Sequence, residues 1–253
     1  MESESAKTTG GKRLKVLELF AGTRSIGKAF EVHGHEVYSV EWDKKFDNIA
    51  LYADIGTLTA EQCVELCGGV PDIIWASPDC SSYSVAAIKH HRKKDPKTGE
   101  LIPQTDYARF CDKVNSHLVD LIDELTKMGA MYWFIENPVG GMRKMSFMQG
   151  LPRFTVTYCR YGDSRMKPTD LFTNHPNPDF KPPCHYGDSC HIRAPRGSKL
   201  GTQGLNGSME RARIPEQLCM HIVDICEHPD QSSRLRMNPQ ASLAEFDKDS
   251  VRA

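Results

Sequence analysis

Cys80 and Glu136 are the two residues of this sequence best suited to act together on a substrate. Cys80 lies in Ser77-Pro78-Asp79-Cys80-Ser81-Ser82, directly after the apolar run Asp72-Ile73-Ile74-Trp75-Ala76. A cysteine in a Pro-turned loop at the end of a buried strand is presented, and its thiolate is the nucleophilic form. The hydroxyl-rich stretch Ser81-Ser82-Tyr83-Ser84 gives it no apolar surroundings. Glu136 follows the apolar segment Tyr132 to Ile135 and precedes Asn137-Pro138. A carboxyl there is costly without a partner or a task. It is either a cap or ion-pair partner, or a group of raised pKa that hands a proton to a ring nitrogen. A thiol and a carboxyl at one sheet edge suit conjugate addition to an electron-poor heterocycle. The neighbouring Asp79 raises a thiol's pKa, so activation must come from a helix terminus, a cation or the substrate complex.

The elements that must position these groups alternate between strand and helix. Leu14 to Phe20 reads as a first strand, Ala21-Gly22-Thr23-Arg24 as a turn, and Ser25 to Val32 as a helix with Ser25 as N-cap. Glu36 to Trp42 is a second strand ending on an acid, Thr59 to Leu66 a short helix, and Pro71 opens the strand that leads to Cys80. Ser81 to Gln104 is polar, basic and without periodicity, which predicts a long functional loop. Phe110, Val114, Leu118, Leu121, Ile122 and Leu125 then recur at helical spacing. The alternation predicts an α/β fold with a doubly wound, mostly parallel sheet. Ligands then bind outside the carboxyl ends of the strands. Phe154 to Tyr161 and Asp170 to Thr173 read as strands, and Ile214 starts a last helix running to about Glu227.

At 253 residues, with 39% hydrophobic and 26% charged residues, the chain suits one α/β domain with a small appendage. No apolar run approaches the roughly 20 residues that span a bilayer. The start of the chain lacks a signal-peptide core, so a cytoplasmic protein with nine reduced cysteines is expected. The net charge of −1 selects no partner class, but Lys89-His90-His91-Arg92-Lys93-Lys94 and Lys97 form a basic patch just after Cys80. It is either a solvated charge run or a surface for phosphates.

The first turn lets the backbone leave its strand tightly, and the following helix N-terminus offers amides to a polar ligand. Glu41 is placed to accept hydrogen bonds from ribose hydroxyls, and Trp42 to stack on a base. Gly22 and Gly27 do not complete a pyrophosphate-binding G-x-G-x-x-G pattern.

The segments ELFAGTRSIGKAF, SPDCSSYS, IENPVGGMRK and the late IPEQL, in this order, resemble the cytosine-C5 DNA methyltransferase family, especially its compact bacterial and phage members. The resemblance spans residues 14–227 and implies the class I, Rossmann-like fold with S-adenosylmethionine as cofactor. It implies Cys80 as nucleophile and Glu136-Asn137 as its partner pair. Phe20, Ala21, Gly22 and Thr23 map onto the cofactor turn, Glu41 and Trp42 onto the ribose-binding acid and its neighbour, and Asp54 onto the adenine contact. Ile55 and Pro78 complete that set. The resemblance further implies that the target cytosine is swung out of double-stranded DNA, that Cys80 adds to its C6 while Glu136 holds protonated N3, and that C5 takes the methyl group before loss of its proton expels Cys80. Family members commonly carry Pro where this chain has Asp79. The family's glutamine-x-arginine-x-arginine element has no clean counterpart, and Arg165, or alternatively Lys167, takes the arginine's place. RNA as substrate, a modified one-carbon donor, and a silent DNA-binding module are the rival readings.

The predicted organisation is a tail over 1–12, a catalytic core over 13–158, a small target-recognition lobe over 159–213, a returning helix over 214–227, and a tail over 228–253. In the lobe, Lys181, Arg193, Arg196 and Lys199 are expected to supply DNA contacts. Cys184-His185 and Cys190-His191, with Cys159 upstream, could bind zinc or pack a loop-rich lobe. Their spacing matches no common zinc module, and no metal ligand is assigned. A monomer acting on DNA, without membrane contact, is expected.

Overall fold

The structure, a computed structural model, describes residues 12–185, 187–192, 210 and 212–229. Its centre is a seven-stranded sheet built from β1 (Lys15–Leu19), β2 (Glu36–Glu41), β3 (Leu51–Tyr52), β4 (Ile73–Ala76), β7 (Tyr132–Pro138), β8 (Arg153–Thr157) and β9 (Pro168–Thr173). The strand order is β3-β2-β1-β4-β7-β9-β8. All pairings from β3 to β7 are parallel, and β9 runs antiparallel between β7 and β8. The chain steps outward from β1 to β3 and then returns to β4 on the other side of β1. That reversal opens a crevice at the carboxyl ends of β1 and β4.

Alternation within the strands decides which helices cover which face. Leu17, Leu19, Ile74, Ala76 and Ile135 pack against α2 (Ala60–Cys67) and α4 (Asp106–Met128). Val16, Ile73, Trp75 and Phe134 face the opposite layer of α1 (Ser25–Val32) and α5 (Glu216–Glu227). With helices on both faces the sheet is doubly wound, the α/β, Rossmann-like class I arrangement expected from the sequence. Strands buried on both faces read as near-continuous apolar runs, which is why β1, β4 and β7 were legible. No helix among the described residues is long and apolar enough to cross a membrane.

Local differences have physical causes. Thr59 caps α2 through a reciprocal capping box with Gln62. The cap of α1, by contrast, is Arg24 in the left-handed region, and Ser25 is already helical. Phe110 is exposed although Val114, Leu118, Leu121 and Leu125 of the same helix are buried. The stretch 81–104 is a built structure: the short helix α3 (Ile88–His91) leads into a hairpin of β5 (Arg92–Lys94) and β6 (Leu101–Pro103). β9 falls inside the lobe predicted over 159–213, yet it is hydrogen-bonded on both sides within the core sheet. Five buried positions, Thr169 to Thr173, put it there; the strand read over Asp170 to Thr173 is present and starts two residues earlier, at Pro168. The strand preceding it is shorter than Phe154 to Tyr161 suggested, turning into a 3-10 segment over Tyr158–Tyr161.

Candidate active site

The parallel registers bring Leu19, Val40, Ala76 and Ile135 to one level of the sheet. Everything immediately beyond them emerges at the same edge: the turn at Phe20, Glu41, the Cys80 loop and Glu136. Gathering these groups, 20 to more than 50 residues apart in sequence, is the work of the sheet.

Cys80 is half-buried at the tip of its loop. Its conformation is fixed locally, since Ser81 N–H donates to Asp79 Oδ1 (2.5 Å) and Tyr83 N–H to the Cys80 carbonyl (3.0 Å). Burial pushes the thiol up to about 11, with the negative charges of Glu136 and then Asp79 adding to the effect and the Lys167 ammonium opposing it. The free thiol is therefore protonated at neutral pH, and Asp79 acts in the direction its type predicts.

The IENPVGG segment closes over this loop. Asn137 Nδ2 donates to the Pro78 carbonyl (3.1 Å), and Gly141 N–H to the Tyr83 carbonyl (2.7 Å). A Cβ on Gly140 would lie 2.6 Å from that same carbonyl oxygen, so only glycine permits the approach. Arg143 reaches away, pairing with buried Asp170 of β9. The buried Glu136 accepts a hydrogen bond on Oε1 from Tyr158 Oη (2.9 Å), and Lys167 Nζ lies 4.4 Å from the Tyr158 ring centre. Glu136 Oε2 has no hydrogen-bond donor among the described residues. Asn137 Oδ1 is a buried acceptor without a partner. A thiol thus lies within the fields of a carboxylate with one oxygen unspent and of an ammonium group.

Arg165 and Lys167, alternatives from the sequence, sit in different surroundings. The Arg165 guanidinium is bonded through Nε and Nη2 to Asp163, and Nη1 donates to the Glu210 carbonyl (3.3 Å). Lys167, buried and with a positive φ of 25°, is the one whose charge acts on Cys80. Tyr158 was missed altogether. Only the pairing of β8 and β9 beside β7 carries its hydroxyl to Glu136, and no local pattern announces that.

At the first turn, Phe20, Gly22 and Arg24 all adopt positive φ (53°, 48° and 57°). Such values are unfavourable for phenylalanine and arginine and concentrate where a turn is shaped for a ligand. Both Glu41 oxygens are engaged: Oε2 accepts from Gly22 N–H (3.0 Å), and Oε1 from Trp42 and Asp43 N–H (2.9 and 3.0 Å). A carboxylate offers about four lone-pair positions, which leaves room for a ribose hydroxyl on a carboxylate already oriented. Trp42 is 68% exposed, with its indole available to stack. Asp54 is exposed and accepts from Gly56 N–H through Oδ1 (2.9 Å), while Ile55 and Pro78 are buried beside the core. Ala21 is buried and Thr23 Oγ1 meets Ser25 Oγ at 3.1 Å. These residues fit an adenosine-bearing cofactor.

Two structural features correct the sequence reading. Glu18 is buried in β1 and reaches the first turn of α1, where Oε1 accepts from Gly27 N–H (2.9 Å). An amide expected to await a ligand is thus already satisfied, and burial raises the Glu18 carboxyl to about 7. Second, Ser82, Tyr83 and Arg92 anchor the Cys80 loop. Arg92, with a fully buried side chain, makes two bonds to Asp112 (2.7 and 2.9 Å) and two to Ser82 (2.9 and 3.0 Å). Tyr83 Oη donates to Asp112 (2.7 Å) and accepts from Asn115 (3.0 Å). Arg92 is therefore unavailable to phosphates, whereas Lys89, His90, Lys93, Lys94 and Lys97 are exposed. Lys181 donates to the Arg160 carbonyl (3.2 Å); Arg193, Arg196 and Lys199 lie outside the described residues.

No family model and no curated protein matches this sequence. Among solved structures, the chain is similar to the Schizosaccharomyces pombe (S. pombe) Dnmt2 methyltransferase, with 14% identity and a TM-score of 0.44 over 64% of this chain and 49% of that one. It is similar to the Entamoeba histolytica methyltransferase EhMeth at 14% identity and a TM-score of 0.46, over 64% and 52% of the two chains. A Spodoptera frugiperda DNMT2 E260A/E261A/K263A mutant gives 18%, 0.39, 63% and 49% in the same terms. The chain spans about half the length of the solved structures it matches. At such scores the fold rests on the strand order itself.

Proposed function

We propose that this chain is an S-adenosylmethionine-dependent methyltransferase that modifies C5 of cytosine in double-stranded DNA. The carrying observation is the half-buried Cys80 thiol held at the sheet edge within the fields of Glu136 and Lys167, one strand away from the turn that fits a nucleoside.

Phe20, Ala21, Gly22, Thr23, Glu41, Trp42, Asp54, Ile55 and Pro78 would hold the cofactor, which supplies an electrophilic methyl group when bound. The rest of the chemistry belongs to this chain. Cytosine enters flipped from the stack, since no side chain reaches its C6 inside a duplex. Cys80 gives up its S–H proton and N3 takes one up, as the sulfur bonds to C6 and the C5–C6 double bond yields its electron pair toward C5. Glu136 holds the proton at N3 through its unspent oxygen, with Tyr158 fixing the carboxylate and Asn137 tying that strand end to the Cys80 loop. Lys167 favours the thiolate and faces the charge that develops on the ring. After C5 is methylated, loss of its proton restores the double bond and releases Cys80. The exposed lysines of the hairpin after Cys80 meet DNA phosphates.

The test is incubation with duplex DNA or RNA and tritiated S-adenosylmethionine, followed by digestion to nucleosides. Label on 5-methylcytosine in DNA, lost in Cys80→Ser, is expected, as is a denaturation-resistant complex with 5-fluorocytosine DNA. Label confined to RNA, or DNA binding with no label, refutes the proposal.

A further inference from the structure

We infer that Cys159, Cys184, Cys190 and His191 form a tetrahedral structural zinc site that ties the loop after β9 to the end of β8. The inference is independent of the reaction proposed above, because it concerns a different set of side chains.

The four ligand atoms all lie within 4.8 Å of one another. Cys159 Sγ is 3.1 Å from Cys184 Sγ and 3.5 Å from Cys190 Sγ. His191 Nδ1 is 3.8 Å from Cys184 Sγ and 3.7 Å from Cys190 Sγ. Zinc binds thiolate at about 2.3 Å and imidazole at about 2.0–2.1 Å, so a tetrahedron places sulfurs about 3.8 Å apart and sulfur about 3.6 Å from nitrogen. The two sulfur–sulfur separations are about 0.3 and 0.7 Å shorter than that and the two sulfur–nitrogen separations about 0.1 and 0.2 Å longer, so small side-chain shifts bring all four onto one ion. A disulfide would use two sulfurs at about 2.0 Å and leave the third sulfur and the imidazole unexplained. Three thiolates and one imidazole are a soft donor set that suits zinc, and four protein ligands leave no open position, the mark of a structural site.

The surroundings are built to hold these ligands. Cys159 and Cys184 are buried, while Cys190 and His191 are partly covered. Cys184 N–H donates to buried Thr157 Oγ1 (2.9 Å), Ile192 N–H donates to the Ser164 carbonyl (2.8 Å), and Asp188 meets Arg160 at 3.7 Å. His185, equally plausible as a ligand from sequence, lies outside the group and is exposed. Cys159 is 25 positions before Cys184, and the return of the chain after β9 brings the two together, so no compact motif is visible. Its neighbour Tyr158 bonds Glu136, which links the site mechanically to the reactive pocket.

The test uses the full chain purified without added zinc. Elemental analysis is expected to find about one zinc per chain, released on titration with an organomercurial. Cobalt substitution should give the visible bands of a thiolate-bound tetrahedral ion. His191→Ala and Cys190→Ser should lose metal and His185→Ala should keep it. Folded wild-type protein with under a tenth of an equivalent of zinc and no cobalt spectrum overturns the inference. So does a Cys159–Cys184 disulfide found by mass analysis after alkylation, or copper or iron in place of zinc.

Discussion

The state of the Cys80 thiol gives the sharpest prediction. Burial, Glu136 and Asp79 together raise it to about 11, against the restraint of Lys167. At pH 8 that leaves roughly one thiol in a thousand ionised, whereas an ordinary thiol near 8.5 is about one quarter ionised. The more basic thiolate is also the better nucleophile, and a Brønsted slope of about 0.4–0.5 recovers roughly one of those two-and-a-half decades. Alkylation of Cys80 by iodoacetamide should therefore run about one order of magnitude or more below an exposed cysteine at pH 8. Its rate should climb close to tenfold per pH unit up to pH 10. Quantifying the Cys80 peptide by mass spectrometry over pH 7–10 measures this. Glu136→Gln should accelerate alkylation at pH 8 more than Asp79→Asn, because Glu136 exerts the larger field, and Lys167→Met should slow it. A wild-type rate that levels off below pH 9 would refute the account of the thiol. A larger effect from Asp79 than from Glu136 would refute the geometry behind it.

Glu18 is fully enclosed and has its carboxyl raised to about 7, above an unfolded value near 4.5. The folded state therefore binds this proton more tightly, so the contribution to stability is whole below about pH 4.5 and is lost as pH rises through about 7. The shift corresponds to about 3 kcal/mol, and Glu18→Gln should flatten the stability-versus-pH curve relative to wild type across that window in urea titrations. An unchanged difference between the two curves from pH 4.5 to 7 contradicts this. Arg92→Ala should cost about 3–5 kcal/mol by leaving Asp112 and Ser82 without their buried partner, and should expose the Cys80 loop to proteolysis. A loss below about 1 kcal/mol would mean that the network carries little of the loop's order.

The sequence by itself determined the layered framework, because strands covered on both faces must be apolar throughout while the helices between them keep a 3.6-residue period. It also marked Cys80, Glu136 and Glu41, since a reactive or charged type directly after such a strand stands out against its neighbours. Only the tertiary structure decided which groups meet. β9 inserts antiparallel between β7 and β8, and that one pairing sets Tyr158 against Glu136, brings Lys167 to Cys80 and gathers Cys159 with Cys184, Cys190 and His191. Tertiary contacts likewise turned Arg92 from a phosphate ligand into an anchor and made Glu18 the acceptor for the Gly27 amide in the first turn of α1. Local patterns record which face of an element is buried. Contacts between residues far apart along the chain depend on strand order, and strand order is fixed by how whole layers pack.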